Sequence, residues 1–97
     1  MPTHHRLVSL QIRDAEGYAR YRAEMAPLLA AAGGRFLLDM TGEATVHPAG
    51  FPPDRVLLIA FPSDQAAAGF FADPAYQAIR SRWFAPSVAR THALHLT

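Results

Sequence analysis

From Leu7 to Arg13 apolar and polar residues alternate, with Val8, Leu10 and Ile12 set against Ser9, Gln11 and Arg13. A period of two with one polar face predicts a half-buried strand. Asp14 follows as a helix N-cap, and Glu16 sits where a negative charge favours the positive end of the helix dipole. Tyr18, Tyr21, Met25, Leu28, Leu29 and Ala32 then recur at helical spacing and form one apolar stripe. Pro27 lies inside this helix and removes one backbone hydrogen bond, so a bend or local loosening is expected there. Gly33-Gly34 ends the helix, because glycine tolerates the left-handed cap conformation.

A second strand is predicted from Arg35 to about Val46, where Phe36, Leu38 and Met40 alternate with Arg35, Leu37, Asp39 and Thr41. Gly42 marks a bulge or bend in it. Residues 47–54 read as a loop dense in proline and glycine. Arg55 to Phe61 is nearly all apolar and suits a central strand. Ser63 caps a second helix bearing Ala66, Ala67, Phe70 and Phe71. Asp73-Pro74 restarts it, with Tyr76, Ile79 and Trp83 as its stripe, and Ala85-Pro86 ends it. Thr91 to Leu96 alternates again, His92, Leu94 and Leu96 on one face and Ala93 and His95 on the other.

The order strand, helix, strand, strand, helix, strand is the ferredoxin-like βαββαβ arrangement. It predicts an α+β fold in which a four-stranded antiparallel sheet, ordered 4-1-3-2, carries both helices on one face. The other face is left bare, and its apolar members, Leu37 and Leu58 among them, invite a second copy of the chain. The 97 residues make one domain, 1–97, and leave no room for a second.

Composition narrows the chemistry. Hydrophobic residues at 51% and charged residues at 18% allow a packed core. A net charge of +1 lacks the basic excess of a nucleic-acid binder. With no cysteine, disulfides, thiolate catalysis and cysteine-held metal clusters are excluded. All nine basic residues are arginine and alanine is the commonest residue, which suggests a GC-rich bacterial genome. The longest uninterrupted apolar stretch, Val56 to Phe61, is far short of the roughly 20 residues that span a bilayer. The N-terminus lacks the apolar core of a signal peptide. A cytoplasmic protein without membrane contact is the expectation.

Several of these pieces recur together in one known family. Tyr18 and Tyr21 after Asp14, then Pro27 and Gly33-Gly34-Arg35-Phe36-Leu37, form the first half of its pattern. Pro53-Asp54-Arg55-Val56, Phe61-Pro62-Ser63, and Asp73-Pro74-Ala75-Tyr76-Gln77 with Arg80 form the second. Over almost its whole length the chain resembles the domain of unknown function 1330 family of the dimeric α+β barrel superfamily. The resemblance implies a ferredoxin-like protomer that dimerises sheet to sheet, with a cavity between the bare face and its surroundings. It implies no reaction. Relatives by fold include cofactor-independent monooxygenases, muconolactone-type isomerases, haem proteins and small-molecule binders. The chain departs from the family at Asp39-Met40-Thr41, where Arg-Gly-Gly is usual, at Ala60, usually Glu, and at Leu94-His95-Leu96, usually Val-Glu-Gly.

No nucleophile stands in a recognisable context, and Ser63 is a helix cap. Asp54 is read as capping a turn and Arg55 as pairing locally. His4-His5 reads as a frayed terminus, and His92 and His95 face opposite ways on a strand, so neither pair chelates an ion. No metal and no cofactor is called for. The aromatic residues belong to the core, with the Tyr18 and Tyr76 hydroxyls able to reach a cavity. On the bare face, strand parity places Ser9, Gln11, Asp39, Thr41 and His95 among Leu58, Ala60 and Ala93. Apolar walls with a few polar anchors describe a small-molecule cavity. Three functions stand open: a homodimer binding a small organic ligand, a cofactor-independent enzyme using Asp39 and His95 as an acid–base pair, and a dimer with no ligand. Asp39 of one chain is placed near His95 of the other at the cavity rim.

Overall fold

The computed structural model describes residues 3–41 and 51–96. Strand β1 (His4–Ile12) leads into helix α1 (Ala15–Ala31), then strands β2 (Arg35–Thr41) and β3 (Arg55–Phe61). Helix α2 (Asp64–Ala72) follows, then α3 (Pro74–Ile79), a π-helical turn (Arg80–Phe84), α4 (Ala85–Ser87) and strand β4 (Val88–Leu96). The sheet is antiparallel throughout with the order β2-β3-β1-β4. The fold is α+β and ferredoxin-like, as the order of elements predicts. The expected Gly42 bulge and residues 42–50 lie outside the described residues. No helix among those described is long and apolar enough to cross a membrane.

The caps form as the residue types require. The Asp14 carboxylate accepts from the Gly17 amide, Ser63 Oγ from Ala66 and Asp73 from Ala75, with Pro74 in the first turn of α3. Helix α1 continues through Pro27 to Ala31. It closes with Gly34 donating to the Leu29 carbonyl and Gly33 to that of Ala30, while Gly33 holds φ +77°. Those paired bonds around a left-handed glycine are a Schellman closure.

The second crossover is more broken than one restarted helix. Pro86 has no N–H to give the Arg82 carbonyl, and its ring crowds that carbonyl. The chain widens by one residue there, and the Ala85 amide donates to Arg80 five residues back. The buried Ser87 then presents its carbonyl to the amides of Arg13 and Asp14. Strand β4 starts at Val88, three residues before the expected Thr91.

The core lies between the sheet and the helices: Leu10, Leu57, Ile59 and Phe61 below, Tyr18, Tyr21, Met25, Leu29, Phe70, Tyr76 and Phe84 above. Directly paired residues of adjacent strands share a face. Asp39 pairs with Leu57, Thr41 with Arg55 and Ala93 with Val8, so these residues face the helices. His95 pairs with Arg6 and joins them. The expected placement of Asp39, Thr41, Ala93 and His95 on the bare face is therefore corrected. In β2 the cause is a register shift between Phe36 and Leu38. Phe36 faces the helices opposite Ile59, the extra residue Leu37 is taken up in the shift, and every later residue changes side. In β4 the register with β1 sets the side, which alternation alone leaves undetermined. Ser9, Gln11, Leu58 and Ala60 do lie on the helix-free face, with Leu38, Met40, Leu94 and Leu96, the last four exposed.

Candidate functional site

A partly enclosed cavity of about 150 Å³ lies on the helix side of the sheet. Its floor is Val8 and Leu10 of β1, Leu57 and Ile59 of β3, and Thr91 and Ala93 of β4. Tyr18, Tyr21 and Met25 of α1, Tyr76 of α3 and Phe84 of the π turn close it from above, and Arg6, Arg22 and Arg80 supply positive charge. The position follows from the crossover geometry. Helix α1 packs against α3 and the π turn, and aromatic rings from both line the cavity together with small β4 residues such as Ala93.

The polar groups of this cavity are phenol hydroxyls and the Thr91 hydroxyl, which donate and accept, and guanidinium groups, which only donate. The hydroxyls of Tyr21 and Tyr76 lie 2.8 Å apart in a buried hydrogen bond. Burial, and then the neighbouring Tyr76 hydroxyl, raise the Tyr21 phenol far above its ordinary value. Burial also raises Tyr18, against the lowering effect of Arg22, which donates to its hydroxyl at 3.3 Å. Both phenols stay protonated at neutral pH. The guanidinium of Arg6 lies over the Phe71 ring at 4.2 Å, and that of Arg80 over Phe84 at 4.9 Å. Neither forms an ion pair among the described residues. Among the described residues the lining contains no carboxylate and no imidazole.

Arg22 is committed elsewhere. Its Nη2 donates to Asp39 at 3.0 Å, and Arg55 donates to the same carboxylate at 2.7 Å and 3.0 Å. Hydrogen bonding from Arg55 is the main reason the Asp39 carboxyl is held below the usual range, with Arg22 adding to it. Arg55 thus reaches across to β2, where a local partner was expected. Asp54 instead fastens the loop to β1: its amide donates to the Leu10 carbonyl and its carboxylate accepts from Ile12.

Of the residues singled out from sequence, Tyr18 and Tyr76 line the cavity. Ser9 is buried on the other face, and Gln11 there donates to the Pro52 carbonyl at 3.4 Å. Asp39 and Thr41 stand on edge strand β2, and His95 on the opposite edge strand β4. Within the protomer Asp39 and His95 are not brought together, and their placement at one rim loses the shared bare face it relied on. Sequence reasoning missed Arg6, Arg22 and Tyr21 as cavity groups. Arg6 was detectable, since its even number puts it on the Val8–Leu10 face.

The histidines correct a second expectation. His4 is no frayed end: it begins β1 opposite Phe61 and is 6% exposed. Its ring stacks on that of His95 with centroids 4.0 Å apart, and its Nδ1 lies 2.9 Å from Asp64 Oδ1. His95 Nε2 is 3.5 Å from the same oxygen.

Comparison with solved structures places this fold among ferredoxin-like proteins. A protein of unknown function from Rhodopseudomonas palustris superposes with a TM-score of 0.82 at 22% identity, over 97% of this chain and 80% of its own. A dabb family protein with a ferredoxin-like fold from Mesorhizobium loti gives 0.73 at 14%, over 100% and 97%. A dimeric ferredoxin-like protein of unknown function from a Jannaschia species gives 0.62 at 16%, over 99% of each chain. No curated protein matches significantly. The model of one family, Domain of unknown function (DUF1330), matches residues 5–93, and with the sheet order, the Tyr18–Tyr21 helix and the Asp54 clamp now in place, the chain belongs to that family.

Proposed function

We propose that the chain is a homodimer that binds a small organic molecule in the cavity between its sheet and helices. The observation that carries this reading is the cavity itself: apolar walls, phenolic donors and Arg80 at the mouth, in about 150 Å³. A cavity of that size takes about one benzene-sized ring. Apolar walls with few oriented polar groups are what a ligand site needs. Guanidinium groups only donate, and protonated phenols can donate to an anion, so the preferred ligand is a single ring bearing an anionic group. This places the ligand on the side of the sheet opposite to the one expected from sequence. The homodimer reading rests on the exposed apolar residues of the bare face and on the solved relatives described as dimeric.

The acid–base enzyme reading fares less well. Asp39 is bound by two guanidinium groups, which makes it a weak base, and among the described residues the cavity lining holds no carboxylate and no imidazole. Calorimetry with benzoate, toluene and benzylamine tests the proposal. Benzoate should bind with a Kd of about 1 mM or tighter, ahead of the other two. Arg80→Gln should weaken it at least several-fold, and Val8→Phe should abolish it by filling the floor. Binding that survives Val8→Phe, or none at all, overturns the site and favours a dimer without a ligand.

A further inference from the structure

We propose that His4, Asp64 and His95 form a binding site for a divalent first-row transition ion of the zinc class, separate from the cavity. One ligand atom from each of the three lies within 4.8 Å of the others. Two of the separations, 2.9 Å from His4 Nδ1 and 3.5 Å from His95 Nε2 to Asp64 Oδ1, are already close to what an ion requires. Metal–nitrogen and metal–oxygen bonds of about 2.0–2.2 Å set neighbouring ligand atoms about 3.0–3.5 Å apart.

The backbone explains why these groups meet. His95 pairs with Arg6, and His4 lies two residues back on the same face, which is the diagonal relation across two strands. Phe61 pairs with His4 from the other side, and Asp64 follows three residues later as the first residue of α2, after the Ser63 cap. Three elements therefore bring donors together: the buried His4 ring is fixed by an edge contact with Phe61, and the more exposed His95 ring, stacked on it at 4.0 Å, turns out of that stack for both imidazole lone pairs to meet one ion. The nearest cation on this face, Arg6, is drawn over the Phe71 ring. Two imidazoles and one carboxylate match zinc, cobalt and nickel. They do not match magnesium or calcium, which take oxygen ligands. Three protein ligands leave the remaining positions to water. No ligand spacing announces the site, because its members are 60 and 31 residues apart along the chain.

An ion here would tie the first residue of β1 to the end of β4, so its binding reads out as stability. The test uses the untagged chain and follows the melting temperature with added zinc chloride, with cobalt absorption as a second readout. Zinc should raise the melting temperature by about 4 °C or more, and cobalt should give the visible bands of a nitrogen- and oxygen-ligated ion. Both effects should vanish in His95→Ala and in Asp64→Asn, whose side chains are exposed enough to be changed without unfolding the protein. Both should persist in His5→Ala and His92→Ala, which remove imidazoles outside the cluster. No stabilisation of the unaltered chain, stabilisation that survives either cluster variant, or loss in either control overturns the proposal.

Discussion

The Asp39 carboxylate accepts three hydrogen bonds from two arginines while its side chain keeps 27% of its surface in water. Partial exposure limits its worth to about 1 kcal/mol. Because the two arginines hold its folded pKa below the unfolded value of about 3.9, this stability is fully present above that value. It is lost as pH falls through the lower, folded value. Asp39→Asn is therefore expected to destabilise by about 1 kcal/mol at pH 7 in urea unfolding, with the gap from the unaltered protein closing in strong acid. A constant gap down to pH 2 would assign its effect to packing. The glycine pair offers a second residue-scale expectation. Gly33→Ala forces a side chain into φ +77° and should cost about 1 kcal/mol. Gly34→Ala sets a Cβ 2.5 Å from Leu29 Cδ1 and 3.0 Å from a Phe61 ring carbon, an overpacking worth about 1–3 kcal/mol. Gly33→Asn should be milder than Gly33→Ala, since asparagine visits the left-handed region more readily, whereas no such relief is expected at Gly34. Equal melting temperatures for the two Gly33 variants would remove backbone strain as the reason.

Among the elements, the end of β1 is held from two directions. The Ile12 amide donates to the Asp54 carboxylate at 2.7 Å, and the next amide, Arg13, donates to the Ser87 carbonyl at 2.8 Å. Asp54→Ala should thus speed hydrogen exchange at Ile12 and leave Arg13 protected, at a cost of about 1 kcal/mol. Acceleration at both amides would mean that the loop and the π turn loosen together. These same elements show what can be read from residues in a row. Strand order, caps and the glycine closure are local or topological, and the alternation around Val8–Ile12, the stripe from Tyr18 to Leu29 and Asp73-Pro74 announce them. Which face Asp39 takes is a different matter, because the extra residue at Leu37 inverts everything after it and leaves no mark on the alternation. The His4–Asp64–His95 cluster was illegible for a related reason. Two edge contacts of β1 create it, and each depends on register with a distant strand. Tyr76 could be placed on an apolar stripe, but its hydroxyl partner Tyr21 lies 55 residues earlier.

At the scale of the whole molecule, the protomer is a flat two-layer body of 33 × 29 × 17 Å with helices on one broad side only. The other broad side is large enough for an interface of about 800 Å² per partner, the standard size for a stable pair. Leu38 and Met40 on edge strand β2 and Leu94 and Leu96 on edge strand β4 remain exposed there, at 37–52%. Between them Ser9 and Ala60 are buried while Leu7, Val56 and Leu58 are partly exposed, so the apolar area runs across the face from edge to edge. A two-fold axis through the face sets each patch against a copy of itself or of its opposite, and any single substitution then acts twice. A carboxylate placed in such a patch is desolvated without a partner, which costs several kcal/mol. Met40→Asp and Leu94→Asp are each expected to weaken the dimer at least a hundredfold in sedimentation, with circular dichroism unchanged. Ala26→Asp adds the same charge on the exposed side of α1 and should leave the dimer intact. A protein that is monomeric throughout the micromolar range would refute the pairing. So would a dimer broken by Ala26→Asp and untouched by the two face variants, which would place the partner on the helices.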